Sequence, residues 1–418
     1  MRQLVAALTF LACAPPVAAD APWRFAAPVV VAAPARDAVF HHLDSAGRRA
    51  LAAGRDAVAV VYESNASGRP EVCAALRGHR AERFGAPRRI SGGGDAFEPV
   101  IIALDAGGFV AAWEEGGAVW ARRVAPDSPG PATRLAADAA QISLAAAGAD
   151  IAAVWAERHD GRARIVHSRL RVDRRGAMTV GSPRAVDTDP PAADQAYPAV
   201  ALGRGGTVVA WEDRRHGHTV LYYSHAAPGK RFRPPQRLNE LPAERAAIYG
   251  KGSGVARVVL TALDGRRVAA AWLDKRDFTS GYTPYAAFSD DGGRRFGANR
   301  AMPDAFAAGV SQWHVAVAGN RRGRVAFVWH DERDGHGDLW LSWPAAQEFS
   351  EDLAVPDAAG PERHRSQPVL AMDADGDLHL AWEERDAEGG SNRIVYAHGR
   401  RADTPWQIGG LAARPARY

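Results

Sequence analysis

One short pattern recurs along the chain, and it sets the fold: an apolar triplet, a tryptophan, one further residue and an acid or its polar equivalent. It stands at Val110–Glu115, Ala152–Glu157, Val208–Asp213, Ala269–Asp274, Ala326–Asp331 and His379–Glu384. An earlier, divergent copy at Ala59–Ser64 carries Tyr62 where the others carry Trp113, Trp155, Trp211, Trp272, Trp329 and Trp382. Self-similarity at this spacing is the mark of repeat architectures. Each copy also has the same surroundings. Ahead of it lies an apolar run closed by an Asp/Gly turn, as in Pro368–Met372 followed by Asp373–Gly376. Two apolar runs around such a turn read as a hairpin. Behind it come a polar loop, as Asp331–Gly337, and a third apolar run, as Leu339–Ser342. A fourth strand follows an aromatic residue, as after Phe84, Phe232, Phe296 and Phe349. Four antiparallel strands per unit describe an all-β chain folded as a β-propeller, with seven blades, or six if the divergent first copy is no blade.

The tryptophan strand is apolar at consecutive positions and not at alternate ones, so both its faces should be buried. A propeller does this by sandwiching each blade between two others, and a Trp at one fixed place per blade fills the wedge between them. A β-sandwich with chance similarity between strands accounts less well for a regular four-run unit. At two residues past the Trp stand Glu115, Glu157, Asp213, Asp274, Asp331 and Glu384, followed in three copies by Arg215, Arg276 and Arg333. Period two places Trp, acid and Arg on one strand face. Repeated around a ring, they cannot all be catalytic, and a structural role between blades is expected of them.

Ser289-Asp290-Asp291-Gly292-Gly293-Arg294-Arg295-Phe296 falls where the turn between third and fourth strands is expected. A carboxylate on a tight turn accepts backbone N–H groups, Gly supplies positive φ, and the ring plugs back into the blade. In this turn, carried by Ser289, Asp291, Gly293 and Phe296, the chain resembles the sialidase-like, Asp-box (BNR-repeat) β-propeller superfamily. Repeat four keeps Ser224, Gly229 and Phe232 without the Asp, and repeat six keeps Ser342 and Phe349. The resemblance implies that these turns are structural and lie away from an active site. For a sialidase it further implies three arginines clamping a carboxylate, a Tyr nucleophile with a Glu, and an Asp acid/base. The nearest counterpart of the first-arginine motif, Trp23–Pro28, departs from the family's spacing.

The 418 residues carry 52 Lys and Arg against 48 Asp and Glu, a net charge of +4 with the signs interspersed, so no basic stripe points to nucleic acid. At the start, Arg2, an apolar run Leu4–Ala12 and the small residues Val17–Ala19 have the order of a cleavable export signal over 1–19, leaving 20–418 as one propeller domain. That run is too short to span a bilayer, and no later segment qualifies. Export places the chain in the periplasm or outside the cell. Cys13 stands in a poor lipid-attachment context, a second reading of the same segment, and Cys73 is the sole cysteine of a processed chain. Cys73 lies in a strand-like setting, where an inert thiol is expected.

Aligned on the tryptophans, Glu98, Tyr197, Arg257, His314 and Gln367 stand at the entry to the inner strands, with Arg48 or Arg49 (Arg49 preferred) in the first repeat. They would form a polar mouth to the central channel. His159, His216, His218, His330 and His336 fall in loops at that end, without the spacing of a recognisable metal site. Three functions stay open. The first is an exported non-catalytic propeller binding a polar ligand (glycan or peptide) or a partner protein at this mouth; the second is a sialidase-like exo-glycoside hydrolase; the third is a periplasmic metal-associated factor. No catalytic residue, metal ligand or organic cofactor is assigned from the sequence, and it does not fix the oligomeric state.

Overall fold

Alternating apolar runs and Gly-rich turns fold into seven four-stranded antiparallel sheets arranged as the blades of a propeller. The computed structural model describes residues 22–402 except 127–128, 174, 241–253, 277–280, 346–347, 357–361 and 387. The segment 1–19 read as an export signal, with Cys13, lies outside the described residues. No helix among the described residues is long and apolar enough to cross a membrane.

From the axis outward, blade 2 is Ala96–Ala103, Phe109–Glu115, Ala118–Val124 and Thr133–Ala137. Blade 3 runs Ala139–Ala147, Asp150–His159 and Arg162–Val172, its outer edge split into Met178–Val180 and Arg184–Ala185. Blade 4 is Gln195–Gly203, Gly206–Asp213, Val220–Ala226 and Gln236–Arg237, and blade 5 is Val255–Ala262, Val268–Asp274, Thr283–Ser289 and Arg300–Ala301. Blade 6 is Trp313–Gly319, Val325–Asp331, Asp338–Ser342 and Leu353–Ala354. The divergent copy is a full blade, blade 1, in which Ala57–Ser64, Glu71–Gly78 and Arg88–Arg89 follow an interrupted inner strand, His41–His42 and Leu51–Ala53. Blade 7 takes three strands from the end of the described chain, Arg363–Met372, Leu378–Asp386 and Arg393–Arg401. Its outer edge comes from the beginning: Trp23–Phe25 and Val29–Ala32 both pair antiparallel with Arg393–Arg401.

The six tryptophans have no exposed surface. Each packs back onto the preceding blade: Trp155 shares a core cluster with Val110, Ala112, Val119 and Ala121 of blade 2, and Trp329 one with Ala269 and Ala271 of blade 5. Alanine on the facing strand leaves room for the indole, which is the wedge expected from the repeat. Fully burying so large a ring makes its removal cost about 3–5 kcal/mol.

The acid two residues past each Trp accepts the indole N–H of its own blade, from 2.8 Å in Trp113–Glu115 to 3.4 Å in Trp382–Glu384. Where an Arg follows, it pairs with that acid and lies over the aromatic ring across the strand: Arg215 on Asp213 and Tyr222, Arg276 on Asp274 and Tyr285, Arg333 on Asp331 and Trp340. These bonds lie within a blade or reach the segments that connect blades, as where Glu115 accepts the Gly92 and Gly94 N–H groups (2.8 and 2.7 Å). Their outward reach is to connecting segments, as Arg215 to Asp187 (2.7 Å) and Arg333 to Asp352 (2.8 Å).

The Ser289–Phe296 turn forms by the bonding its residue types dictate. The Asp291 carboxylate accepts the Ser289 hydroxyl and the Arg294 and Arg295 N–H groups. Gly293, at φ +86, lies against Val208 of blade 4, and Phe296 meets Tyr223 edge-on at 4.9 Å.

Candidate ligand site at the channel mouth

Every inner strand of blades 2 to 7 is broken by a bulge at its entry, where the register with the second strand slips. The first bulge residue is in the left-handed region each time: Glu98 (φ 47), Gln141 (59), Tyr197 (48), Arg257 (57), His314 (54) and Gln367 (52). Side-chain-bearing residues seldom adopt this conformation, which recurs at functional sites because it re-aims a side chain out of the sheet. Five of the six are the residues that alignment on the tryptophans picks out. Gln141 is the one not anticipated.

In blade 1 the bulge is enlarged to an excursion, Leu43–Ala50, between the two pieces of the inner strand. It includes a short 3-10 turn, Ala46–Arg48, that packs against inner strands of blades 2, 3, 4 and 5 and so sits across the mouth. Gly47 (φ 70) makes this approach feasible, since a Cβ there would stand 2.6 Å from Ser143 Oγ of blade 3. Arg48 (φ 48), not Arg49, takes the left-handed position. The extra residues of the excursion shift the count by one. Arg49 instead runs into the channel, where it donates to the carbonyls of Leu260 (2.5 Å) and Val200 (3.5 Å).

Glutamates one residue past the Trp or Tyr, a position the repeat did not single out, hold this rim together. Glu63 accepts the N–H of Glu98 (2.6 Å), Glu114 that of Gln141 (2.5 Å) and Glu212 that of Arg257 (2.8 Å), each on the following blade. Blade 3 has Ala156 at that position, and the Gln141 side chain substitutes by accepting from Tyr197 N–H (2.7 Å). Glu383 of blade 7 likewise accepts from Leu43 of blade 1 (2.9 Å). The signal was a Glu directly after the Trp or Tyr in four of the seven copies, in three of them beside the acid already noted.

Around the plug the charges interlock. Arg48 donates to Asp44 (2.9 Å), to Gln367 (3.0 Å) and to the Pro368 carbonyl (3.1 Å). Arg257 reaches the other Asp44 oxygen at 3.4 Å and lies 3.8 Å over the Tyr197 ring. His314 stacks on His330 at 4.8 Å, their Nδ1 atoms 3.1 Å apart. Burial, helped by Arg48, pushes His330 down to about 3, and burial with the charges of Arg48, His330 and Arg257 lowers His314, so both are neutral at ordinary pH.

The carboxyls respond oppositely. Burial, with Glu114 and Asp44 nearby, pushes Glu98 up to about 8, and burial raises Glu63, Glu114 and Glu212. Glu98 therefore keeps its proton near neutrality and can donate as well as accept. Its Oε2 is buried with no partner, as are Arg257 Nη1 and Ser143 Oγ. Unmet polar atoms of this kind ask for a bound group. The three-arginine clamp implied by the sialidase resemblance is not what these contacts form: Arg48 and Arg257 share Asp44, and Arg49 is spent on carbonyls inside the channel.

The remaining loop histidines are dispersed: His159 pairs with Glu157 (3.1 Å) and His216 with the Tyr222 hydroxyl (3.0 Å). Among the described residues no group of three or more His, Cys, Asp or Glu is placed to hold a metal ion. Cys73 is half-buried, and burial, then Glu71, pushes its thiol up to about 11.

No protein-family model and no curated protein sequence matches the chain. Solved structures do. A protein of unknown function from Dyadobacter fermentans is 12% identical over 91% of this chain and all of that one, with a TM-score of 0.54. A puromycin hydrolase complexed with PGG is 15% identical over 89% of this chain with a TM-score of 0.51, and the match spans 56% of that longer protein. The alpha-L-arabinanase of Penicillium chrysogenum complexed with arabinobiose is 12% identical over 90% of this chain and 98% of that one, at a TM-score of 0.47. At such identities the likeness is one of fold alone.

Proposed function

We propose that this chain is an exported binding propeller, its leader 1–19 removed, whose channel mouth takes the end of a hydroxyl-rich ligand such as a glycan. The observation that carries this reading is the buried, unpartnered Glu98 Oε2 on the same rim as the equally unpartnered Arg257 Nη1, while the main-chain N–H groups of both residues are satisfied. A carboxyl that holds a proton near neutrality, a guanidinium stacked on Tyr197 and the Gln367 amide offer donors and acceptors of the sort that fix a polyol. Titration calorimetry against a panel of oligosaccharides tests it. Binding should fall at least about tenfold in Glu98→Leu or Arg257→Ala, each of which removes hydrogen bonds to the ligand. Wild-type affinity in both variants would sink the mouth as the site. Cell fractionation tests the export reading, and recovery of unprocessed chain in the cytoplasm would reject it.

A second reading, exo-glycoside hydrolysis, draws on the same carboxyl. A protonated Glu98 within electrostatic reach of Glu114 is the pairing of acid and base that glycosidases use. Release of reducing sugar from a bound oligosaccharide, lost in Glu98→Gln while binding persists, favours it; binding without turnover leaves the binding propeller.

A further inference from the structure

Blades 3 and 4 enclose a cavity of about 670 Å³ at the end of the propeller away from the mouth. Its walls carry Arg169 and His167 from the third strand of blade 3, Arg184 from that blade's outer edge, and Lys230, Arg231 and Phe232 from the turn of blade 4. No carboxylate lines it. Among the described residues none of Arg169, Arg184, Lys230 and Arg231 is paired with an acid. Elsewhere on the surface exposed arginines do find acids, as Arg321 with Asp105 (3.0 Å) and Arg322 with Asp375 (3.4 Å).

The sequence explains the imbalance. In blade 5 the matching turn carries Asp291, whose carboxylate absorbs the N–H groups of Arg294 and Arg295. Blade 4 keeps Ser224, which donates to the Arg233 carbonyl (2.6 Å), but has lost the Asp, so nothing acidic remains beside Lys230 and Arg231. A second observation is independent of these charges. His167 is only 8% exposed, its Nε2 is buried without a partner, and its ring meets Phe232 edge-on at 5.3 Å. A buried ring nitrogen left unbonded in the wall of a cation-lined cavity points to a missing hydrogen-bond partner.

We propose that this cavity is a second ligand site, separate from the mouth, that binds a tetrahedral oxyanion, phosphate or sulfate, free or as an ester. Four cations suit a dianion better than a lone carboxylate, and the Ser182 and Thr207 hydroxyls on the same wall add donors. The volume exceeds what an inorganic anion fills, leaving space for the organic part of an ester against Phe232. Burial, then Arg169 and Arg184, push His167 down to about 4. A bound dianion offsets the charges of the two arginines.

The test is calorimetry on the full chain with inorganic phosphate, inorganic sulfate, glucose 1-phosphate and glucose, together with nitrogen-detected NMR of the His167 ring. The anions should bind and glucose should not. Affinity should drop at least about tenfold in the Arg184→Ala, Lys230→Ala double variant, the loss of two charge-assisted contacts. Both side chains are exposed, and an unchanged melting temperature shows that the fold is kept. Tighter binding of glucose 1-phosphate than of phosphate marks an ester site, and the reverse marks a free-anion site. Glu98→Gln at the mouth should leave all these values unaltered. The proposal is overturned if no anion binds up to about 10 mM, if glucose binds equally, if the double variant binds like wild type, or if binding leaves the His167 resonances unmoved.

Discussion

The guanidinium of Arg49 crosses the channel from blade 1 and donates to the main-chain carbonyl of Leu260 in blade 5, 2.5 Å away. Half-buried, and pushed by desolvation down to about 10, it still serves as a strut between blades that do not adjoin in the ring. Replacing it with Met keeps the bulk and removes the bonds. Arg49→Met should cost about 2 kcal/mol, the worth of a charged hydrogen bond, read as a lower urea midpoint. Sugar binding at the mouth should weaken as well, because the adjoining turn Ala46–Arg48 loses its anchor.

Glu98 makes stability depend on pH in a direction opposite to most carboxylates. Its folded-state value, about 8, lies above the ordinary 4.5 of the unfolded chain. Ionisation is therefore harder in the folded protein, and a destabilising contribution builds as pH rises from 4.5 to 8, then stays constant. Glu98→Gln removes it. The variant should be more stable than wild type at pH 9 by more than about 1 kcal/mol, and the gap should close towards pH 5. Parallel pH–stability curves would show that Glu98 does not titrate in this way.

Asp213 behaves in the usual sense. Burial pushes its carboxyl up, but the bonds from Arg215, Gln195 and Trp211 outweigh that and hold it below its ordinary 3.8. The stabilisation is present above 3.8 and is lost as pH falls through the lower folded value. Asp213→Asn should cost about 3 kcal/mol at neutral pH, with the difference from wild type shrinking in acid. Thermal melts at pH 7 and pH 3 measure both.

Gly293 is constrained twice, by φ +86 and by Val208, whose Cγ2 would lie 2.1 Å from an added Cβ. Gly293→Ala should destabilise by about 2–4 kcal/mol. Adding Val208→Ala removes the clash but not the dihedral strain, so the double variant should recover only part of the loss. Full recovery in chemical denaturation would assign the whole effect to the contact.

The repeat made the strands, the buried tryptophans and five of the six bulge residues legible, because strand periodicity and a fixed distance to Trp survive in the sequence. Gln141 stands as far before Trp155 as Tyr197 does before Trp211, so its omission was one of reading and not of signal. The swap of Arg48 for Arg49 is different. An excursion replaces a two-residue bulge in blade 1, and counting back from Tyr62 cannot tell which arginine turns inward. Nor does the repeat distinguish an acid that caps its own Trp from one that grips the next blade. That depends on which side of the strand faces the axis. The cavity between blades 3 and 4 was hidden for a similar reason, since Arg184 and Lys230 meet only once the two blades are side by side.

Trp23 pairs with Arg401 across nearly the whole described chain, and its indole N–H bonds the Gly376 carbonyl (2.8 Å). The first described strand is therefore the last to find its place. Six blades can assemble as neighbouring hairpins emerge, each from local contacts, whereas the seventh stays incomplete until its own three strands have formed. Bringing such distant ends together carries a large but slowly growing entropic cost, and folds governed by distant pairings mature slowly. Until that joint forms, the edge of Arg393–Arg401 is unpaired and open to a strand from another molecule. Residues 22–32 thus act as a latch, and a chain lacking them would present that edge for association between copies.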